Sequence, residues 1–211
     1  MALPERIALA TRNAHKLREL RRICADWPVE WVSVENHDPN AFPDVEETGE
    51  TYLDNAALKA RAVADALGMP AMADDSGIEV DALGGKPGPR SARYAGEDAS
   101  DEQNLAALIQ TIRGIPASGL TARYRCVAAL AMPDGRLVHT DGTCEGTLRT
   151  RRSGSRGFGY DPIFVPVGWD RTMAELADEE KDRISHRGRA FRALRELVET
   201  SSHPGPLPHS R

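Results

Sequence analysis

Ile7-Ala-Leu-Ala-Thr-Arg-Asn-Ala-His-Lys-Leu-Arg-Glu-Leu20 joins a short apolar run, a polar break and an amphipathic stretch in direct succession. Ile7 to Ala10 reads as a buried strand, and Thr11 to Ala14 breaks it. A helix follows, with Leu17, Leu20 and Cys24 on one face and Arg18, Arg21 and Arg22 largely off it. Strand, polar turn and helix in this order open an α/β fold.

The reading extends outward from that unit. Trp31 to Val34 predicts a second strand, and Glu35 to Glu50 an acidic, irregular connection. Thr51 with Asp54 marks a helix start, and Gly68 and Pro70 end that helix after Leu67. It carries Tyr52, Asn55, Lys59 and Ala62/Val63 on one side. Ala71 to Ala73 is a short strand running into Asp74-Asp75-Ser76-Gly77, and Ile78 to Val80 resumes an extended pattern. Gly84 to Gly88 is a loop. Ser100 and Gln103 cap a helix whose face is Leu105, Leu108, Ile109 and Ile112. Thr121–Met132 and Arg136–Cys144 form a hairpin about Pro133-Asp134-Gly135. A basic, glycine-rich loop spans Arg149 to Tyr160. Thr172 with Glu175 starts another helix, which continues from Ser185 with Ala190, Leu194, Leu197 and Val198 inward. This predicts one α/β domain with a mixed sheet over residues 1–200 and a frayed Ser/Pro/His-rich tail over 201–211.

Composition narrows the function classes. Of 211 residues, 40% are hydrophobic, enough for a sizeable core. A net charge of -5 argues against wholesale nucleic-acid binding. Cys24, Cys126 and Cys144 are odd in number and lack C-x-x-C spacing, so neither a disulfide framework nor a zinc site is expected. The N-terminus has no signal-peptide pattern, and no run approaches the ~18 apolar residues of a membrane helix. The expectation is a cytoplasmic protein without a membrane partner.

Four segments can carry chemistry. Thr11 to Lys16 lies where a helix begins, and unpaired N–H groups and the helix dipole there suit phosphate. Thr11 and Asn13 add donors and Lys16 adds charge; Asn13 also reads as a plain helix cap. Glu46-Glu47 and Asp74-Asp75 are paired acids. Charges at the end of an apolar strand call for a partner or a metal, and Mg²⁺ takes one or two carboxylates together with phosphates and water. An acid can also deprotonate an attacking water, although Asp-Ser-Gly equally forms a turn. In Gly157-Phe-Gly-Tyr-Asp161 two glycines let backbone approach a ligand while a ring stacks on it, and Asp161 can accept from a base edge. Lys181 with Ser185-His186-Arg187 supplies donors for a base carbonyl or phosphate oxygens.

Taken together and in order, these segments resemble the inosine triphosphate pyrophosphatase family, which acts on ITP, dITP and XTP. The match runs through Ala10–Lys16, Glu46-Glu-Thr-Gly49 with Asn55-Ala56 and Lys59-Ala60, and Ala73–Gly77. It continues through Gly84–Gly88 with Ser91–Tyr94, Gly157–Phe164, and Ala174–Leu176 with Lys181 and Ile184–Arg187. It covers Ile7 to about Leu197. The resemblance implies an elongated mixed β-sheet flanked by helices, with a substrate cleft between two lobes. It also implies a homodimer and Mg²⁺-dependent hydrolysis of a nucleoside triphosphate to the monophosphate and pyrophosphate. Carried over by position, Thr11, Arg12, Asn13, Ala14, His15 and Lys16 hold the phosphates. Glu46 and Asp75 hold the metal, and Asp75 accepts the proton of the water. Ser76 touches substrate, and Phe158, Gly159, Tyr160, Asp161, Lys181, His186 and Arg187 surround the base. Arg12 and His15 stand where the family often has glycine. A pyrophosphatase of modified pyrimidine nucleotides, a nucleotide sensor without activity and a nucleic-acid module are the rival readings.

Overall fold

The computed structural model describes residues 3–200; the tail expected from Ser201 lies outside them. Strand β1 (Arg6–Leu9) leads through the polar turn into helix α1 (Ala14–Ile23), followed by β2 (Glu30–Val32) and α2 (Tyr52–Leu67). Strand β3 (Ala71–Val80), helix α3 (Asp101–Ile112) and the hairpin β4 (Thr121–Ala131) and β5 (Leu137–Leu148) come next. Strand β6 (Phe164–Pro166) and helices α4 (Asp178–Ile184) and α5 (His186–Thr200) complete the described residues. The six strands form one sheet in the order β2-β1-β3-β4-β5-β6, parallel among β1, β2 and β3 and antiparallel from β3 to β6.

Local signals set the helix boundaries. Thr51 and Asp54 cap α2 reciprocally, as Ser100 and Gln103 cap α3. Gly68 closes α2 at φ 62°, a left-handed conformation open to glycine without a Cβ penalty. Strands β3 to β5 have 10, 11 and 12 residues, about 34–41 Å long, so they run through two lobes. In one lobe α1 and α5 pack on one sheet face, burying Leu17, Leu20, Met72, Phe191 and Leu194, and α2 packs on the other with Ala56, Ala60 and Val63. In the second lobe Ile78, Leu108, Ile112, Tyr124 and Phe164 form a separate core around α3.

Several expectations change. Asp74-Asp75-Ser76-Gly77 is no turn: β3 passes straight through it, paired residue by residue with β4. Thr172 and Glu175 start only a single 3-10 turn, Met173–Glu175, because the Thr172 hydroxyl donates to the Ser153 carbonyl and Leu176 is extended. The helix after it breaks at Ser185, which is also extended. Leu197 is 38% exposed rather than inward. Strand β6 was not anticipated. The three cysteines are buried and free, and among the described residues no helix is long and apolar enough to cross a membrane.

Close packing of α5 on β5 depends on Gly142. A Cβ there would sit 2.1 Å from the His186 carbonyl oxygen and 2.5 Å from the Ala190 nitrogen. Both are backbone atoms, so the helix itself must shift. Gly142→Ala is expected to lower stability by about 1–3 kcal/mol, read as a fall in Tm; an unchanged Tm would show that α5 can move freely.

Candidate active site

The cleft exists because β1 is short. It pairs with β3 only as far as Leu9 opposite Met72, so among the described residues β3 runs on from Ala73 to Val80 with no strand on that edge, meeting only an isolated bridge from Glu79 to Pro87. A cavity of about 280 Å³ opens alongside. Thr11, Arg12, Asn13, Lys16, Glu47, Lys59, Asp75, Ser76, Phe158, Gly159, Tyr160, Asp161, Lys181, His186 and Arg187 line it; Glu46, Ala14 and His15 do not.

The turn after β1 is organised by Asn13. Its side chain caps α1, accepting from the His15 and Lys16 N–H groups at 2.9 and 3.1 Å, while the Thr11 hydroxyl oxygen accepts from the Asn13 N–H. Ala14 is the first residue of α1. Arg12 reaches across to the 39–42 segment and donates to the Pro39 and Phe42 carbonyls. Lys16 Nζ lies 3.2 Å from the Asp74 carboxylate and 3.4 Å from its carbonyl, which ties the turn to the open edge of β3.

The two adjacent aspartates face opposite ways, as successive strand residues must. Asp74 points to the α5 face, where its Oδ2 accepts from Arg187 Nε and Nη2. Burial would raise its carboxyl, but Arg187, Lys16 and Lys59 outweigh that and hold it far below the usual range. Asp75 points to the α2 face. Its Oδ2 accepts from Asn55 Nδ2 at 3.1 Å, and Lys59 Nζ is 3.6 Å from Oδ1. Lys59 is closer to Glu47, at 2.6 Å. Burial therefore raises the Asp75 carboxyl, helped by Glu47 and only partly offset by Lys59 and Lys16. The Glu46 side chain is exposed on the same acidic connection. Asn55 also accepts from the Gly49 N–H at 2.8 Å, so it fastens that connection beside Asp75.

At the other end, Phe158 sits between Gly157 and Gly159, both left-handed. A Cβ on Gly157 would lie 2.1 Å from Asp161 Oδ2, so only glycine lets this loop close on Asp161. Both Asp161 oxygens are occupied: Oδ1 accepts from the Tyr124 hydroxyl, and Oδ2 from the Phe158 N–H and Lys181 Nζ. Asp161 thus holds the loop rather than presenting a free acceptor. Tyr160 is buried and donates to the Ser91 carbonyl. The His186 ring stacks on Tyr124 at 4.6 Å, and burial with Arg187 close by keeps it neutral. Its Nδ1 is buried without a partner. Arg187 donates to Ser76 Oγ at 2.8 Å.

Sequence reasoning passed over Glu19. It is buried in α1 and accepts from Lys181 at 2.6 Å and Arg187 at 2.5 Å. It thereby joins α1 to Lys181 and Arg187 at the Phe158 end of the cleft. No local signal marks it: Glu19 lies between Arg18 and Arg21 on an amphipathic helix, and the partners that bury it come from α4 and α5.

Residues 7–197 match the profile of the Ham1 family. The chain is 51% identical over 195 residues to a dITP/XTP pyrophosphatase of Streptomyces coelicolor, covering 92% of this chain and 96% of that protein. Its fold is similar to that of a HAM1 protein from Coxiella burnetii, with TM-score 0.82 and 36% identity over 93% of this chain and all of the other. It is similar as well to the Ham1 protein of Staphylococcus aureus, with TM-score 0.79 and 39% identity over 93% of this chain and 99% of the other. On sequence and fold together, the chain belongs to the Ham1 family.

Proposed function

We propose that this protein hydrolyses non-standard purine nucleoside triphosphates, namely ITP, dITP and XTP, to the nucleoside monophosphate and pyrophosphate. The observation that carries this reading is the position of Asp75: a buried carboxyl with a raised pKa, facing a cleft with lysines at one end and Phe158, His186 and Arg187 at the other.

The donor set suits magnesium. Asp75 and Glu47 share a single ammonium, Lys59. The carboxylates of Asp75 and Glu47, drawn together at one cationic group, are oxygen ligands of the kind a cation takes when phosphates and water complete its shell. Asp75 would hold it with the acids of the Glu46–Glu47 pair. When bound, Mg²⁺ would stabilise negative charge on the phosphate oxygens.

The chain's own residues supply the rest. Asp75 takes a proton from water as the water oxygen bonds to the α-phosphorus. The α–β anhydride bond breaks, and its electron pair leaves on pyrophosphate. Lys16 and Lys59 neutralise that leaving group. Arg187 uses four of its five N–H donors on Asp74, Glu19 and Ser76, and neutral His186 offers one. These donors favour a 6-oxo purine and stay unpaired against the 6-amino group of adenine, which discriminates strongly in a buried site. The homodimer implied by the motifs belongs to this proposal and is read by light scattering.

Incubation with Mg²⁺ and ITP, dITP, XTP, ATP or dUTP tests the reading. Fast pyrophosphate release from the first three, weak release from ATP and dUTP, and arrest by EDTA are expected. Equal rates on all would remove the selectivity argument. Release of orthophosphate in place of pyrophosphate would overturn the bond assignment.

A further inference from the structure

Phe158 is poorly held by its own backbone. With left-handed glycines on both sides, its local restraints are the bond from its N–H to Asp161 Oδ2 at 2.9 Å and that from the Asp161 N–H to its carbonyl at 3.2 Å. Neither fixes the ring. Lys181 Nζ and Arg187 Cζ lie 5.2 and 5.7 Å from its centroid. Both residues line the cleft, as Phe158 does.

His15 also touches this ring. The imidazole stacks on Phe158 with centroids 5.1 Å apart and planes 21° apart. His15 is exposed and does not line the cleft, so it backs the ring from the solvent side. Arg18, one turn along α1, places Nη2 2.8 Å from His15 Nδ1. A guanidinium can only donate. Nδ1 is therefore the acceptor in this contact. The pair His15–Arg18 grows from the helix whose N-terminus faces the phosphate end of the cleft.

We propose that His15, oriented by Arg18, is a positioning residue: it braces Phe158 from outside the cleft and sets how firmly the purine base is stacked. The proposal rests on the nucleotide reading above. It assigns the His15 side chain to the base, through Phe158, and not to the phosphates. Without the brace the ring between two glycines samples orientations in which no base can stack.

Calorimetric binding of inosine monophosphate, kinetics on ITP and inhibition by pyrophosphate test this in His15→Ala, His15→Phe, Phe158→Ala and the double variant His15→Ala/Phe158→Ala. His15→Ala should weaken monophosphate binding about two- to tenfold, the scale of one aromatic pair. The change should fall on KM for ITP more than on kcat, with pyrophosphate inhibition unmoved. His15→Phe should restore binding, and in the Phe158→Ala background removal of His15 should have no further effect. Weaker pyrophosphate inhibition in His15→Ala would place the imidazole on the phosphates and overturn the brace, as would an undiminished loss in the Phe158→Ala background. Equal monophosphate binding by wild type and His15→Ala removes the brace alone. Failure of the wild type to bind the monophosphate removes the base-site reading and the brace with it.

Discussion

Asp75→Asn is expected to lower kcat on ITP by about 10²–10⁴-fold, the range for loss of a positioned general base, without unfolding the protein. Asp75 is only 4% exposed, and burial lifts its carboxyl above the ordinary range, with Glu47 adding to the lift. A raised pKa makes the carboxylate a better proton acceptor near neutral pH, and it also sets the direction of the pH profile. Activity should fall as pH drops through the Asp75 pKa, because the protonated acid cannot take the water's proton, and that acid limb should vanish in the residual activity of the variant. Stability moves the other way. A carboxyl whose pKa is raised on folding binds its proton more tightly in the native state, so its ionisation at higher pH opposes folding. Asparagine removes that ionisation and can still accept from Asn55, so Tm at pH 7 should not fall. A loss of activity accompanied by a lower Tm would mean that the variant is damaged structurally. Turnover within tenfold of wild type would take Asp75 out of the proton transfer.

What the sequence makes legible follows how local each signal is. The Thr51/Asp54 and Ser100/Gln103 caps and the turn at Pro133-Asp134-Gly135 act within a few residues, and each appears where its pattern places it. Strand β6 has three residues and no alternation of its own; it is a strand because Gly146 to Leu148 pair with it. The separation of Asp74 from Asp75 is periodicity, but it can be read only once β3 is known to continue through Asp-Ser-Gly, and β4 decides that by pairing with every residue. The acidic pair behaves in the same way. Nothing local distinguishes Glu46 from Glu47, whereas the fold sets Lys59 against Glu47 and leaves Glu46 exposed outside the cleft lining. Glu19 lies between basic residues on an amphipathic helix and reads as a solvated side chain. Its partners arrive from 162 and 168 positions away.

Glu19→Ala is for that reason expected to have the largest effect on stability. Lys181 and Arg187 are both buried, and each meets one Glu19 oxygen. Removing one partner from a buried ion pair costs about 3–5 kcal/mol, because the remaining charge keeps its desolvation penalty without its counter-charge. Here Lys181 retains Asp161 and Arg187 retains Asp74, which argues for the lower end of that range. For a chain of this size it corresponds to a Tm lower by about 6–20 °C. The pH dependence identifies the charge as the cause. Burial alone would raise the Glu19 carboxyl, but Arg187 and Lys181 outweigh it and hold the pKa at about 2, against an ordinary 4.5. A carboxylate depressed in the native state contributes its full stability above the unfolded-state value and loses it as pH falls toward the folded value. The gap in Tm between wild type and variant should therefore be widest above pH 4.5 and narrow progressively between pH 4.5 and about 2. Glu19→Gln should show the same narrowing with less disturbance of packing. A gap that stays constant across that window would assign the loss to the cavity left by the side chain, and the link between α1 and the Phe158 end of the cleft would then rest on packing rather than on charge.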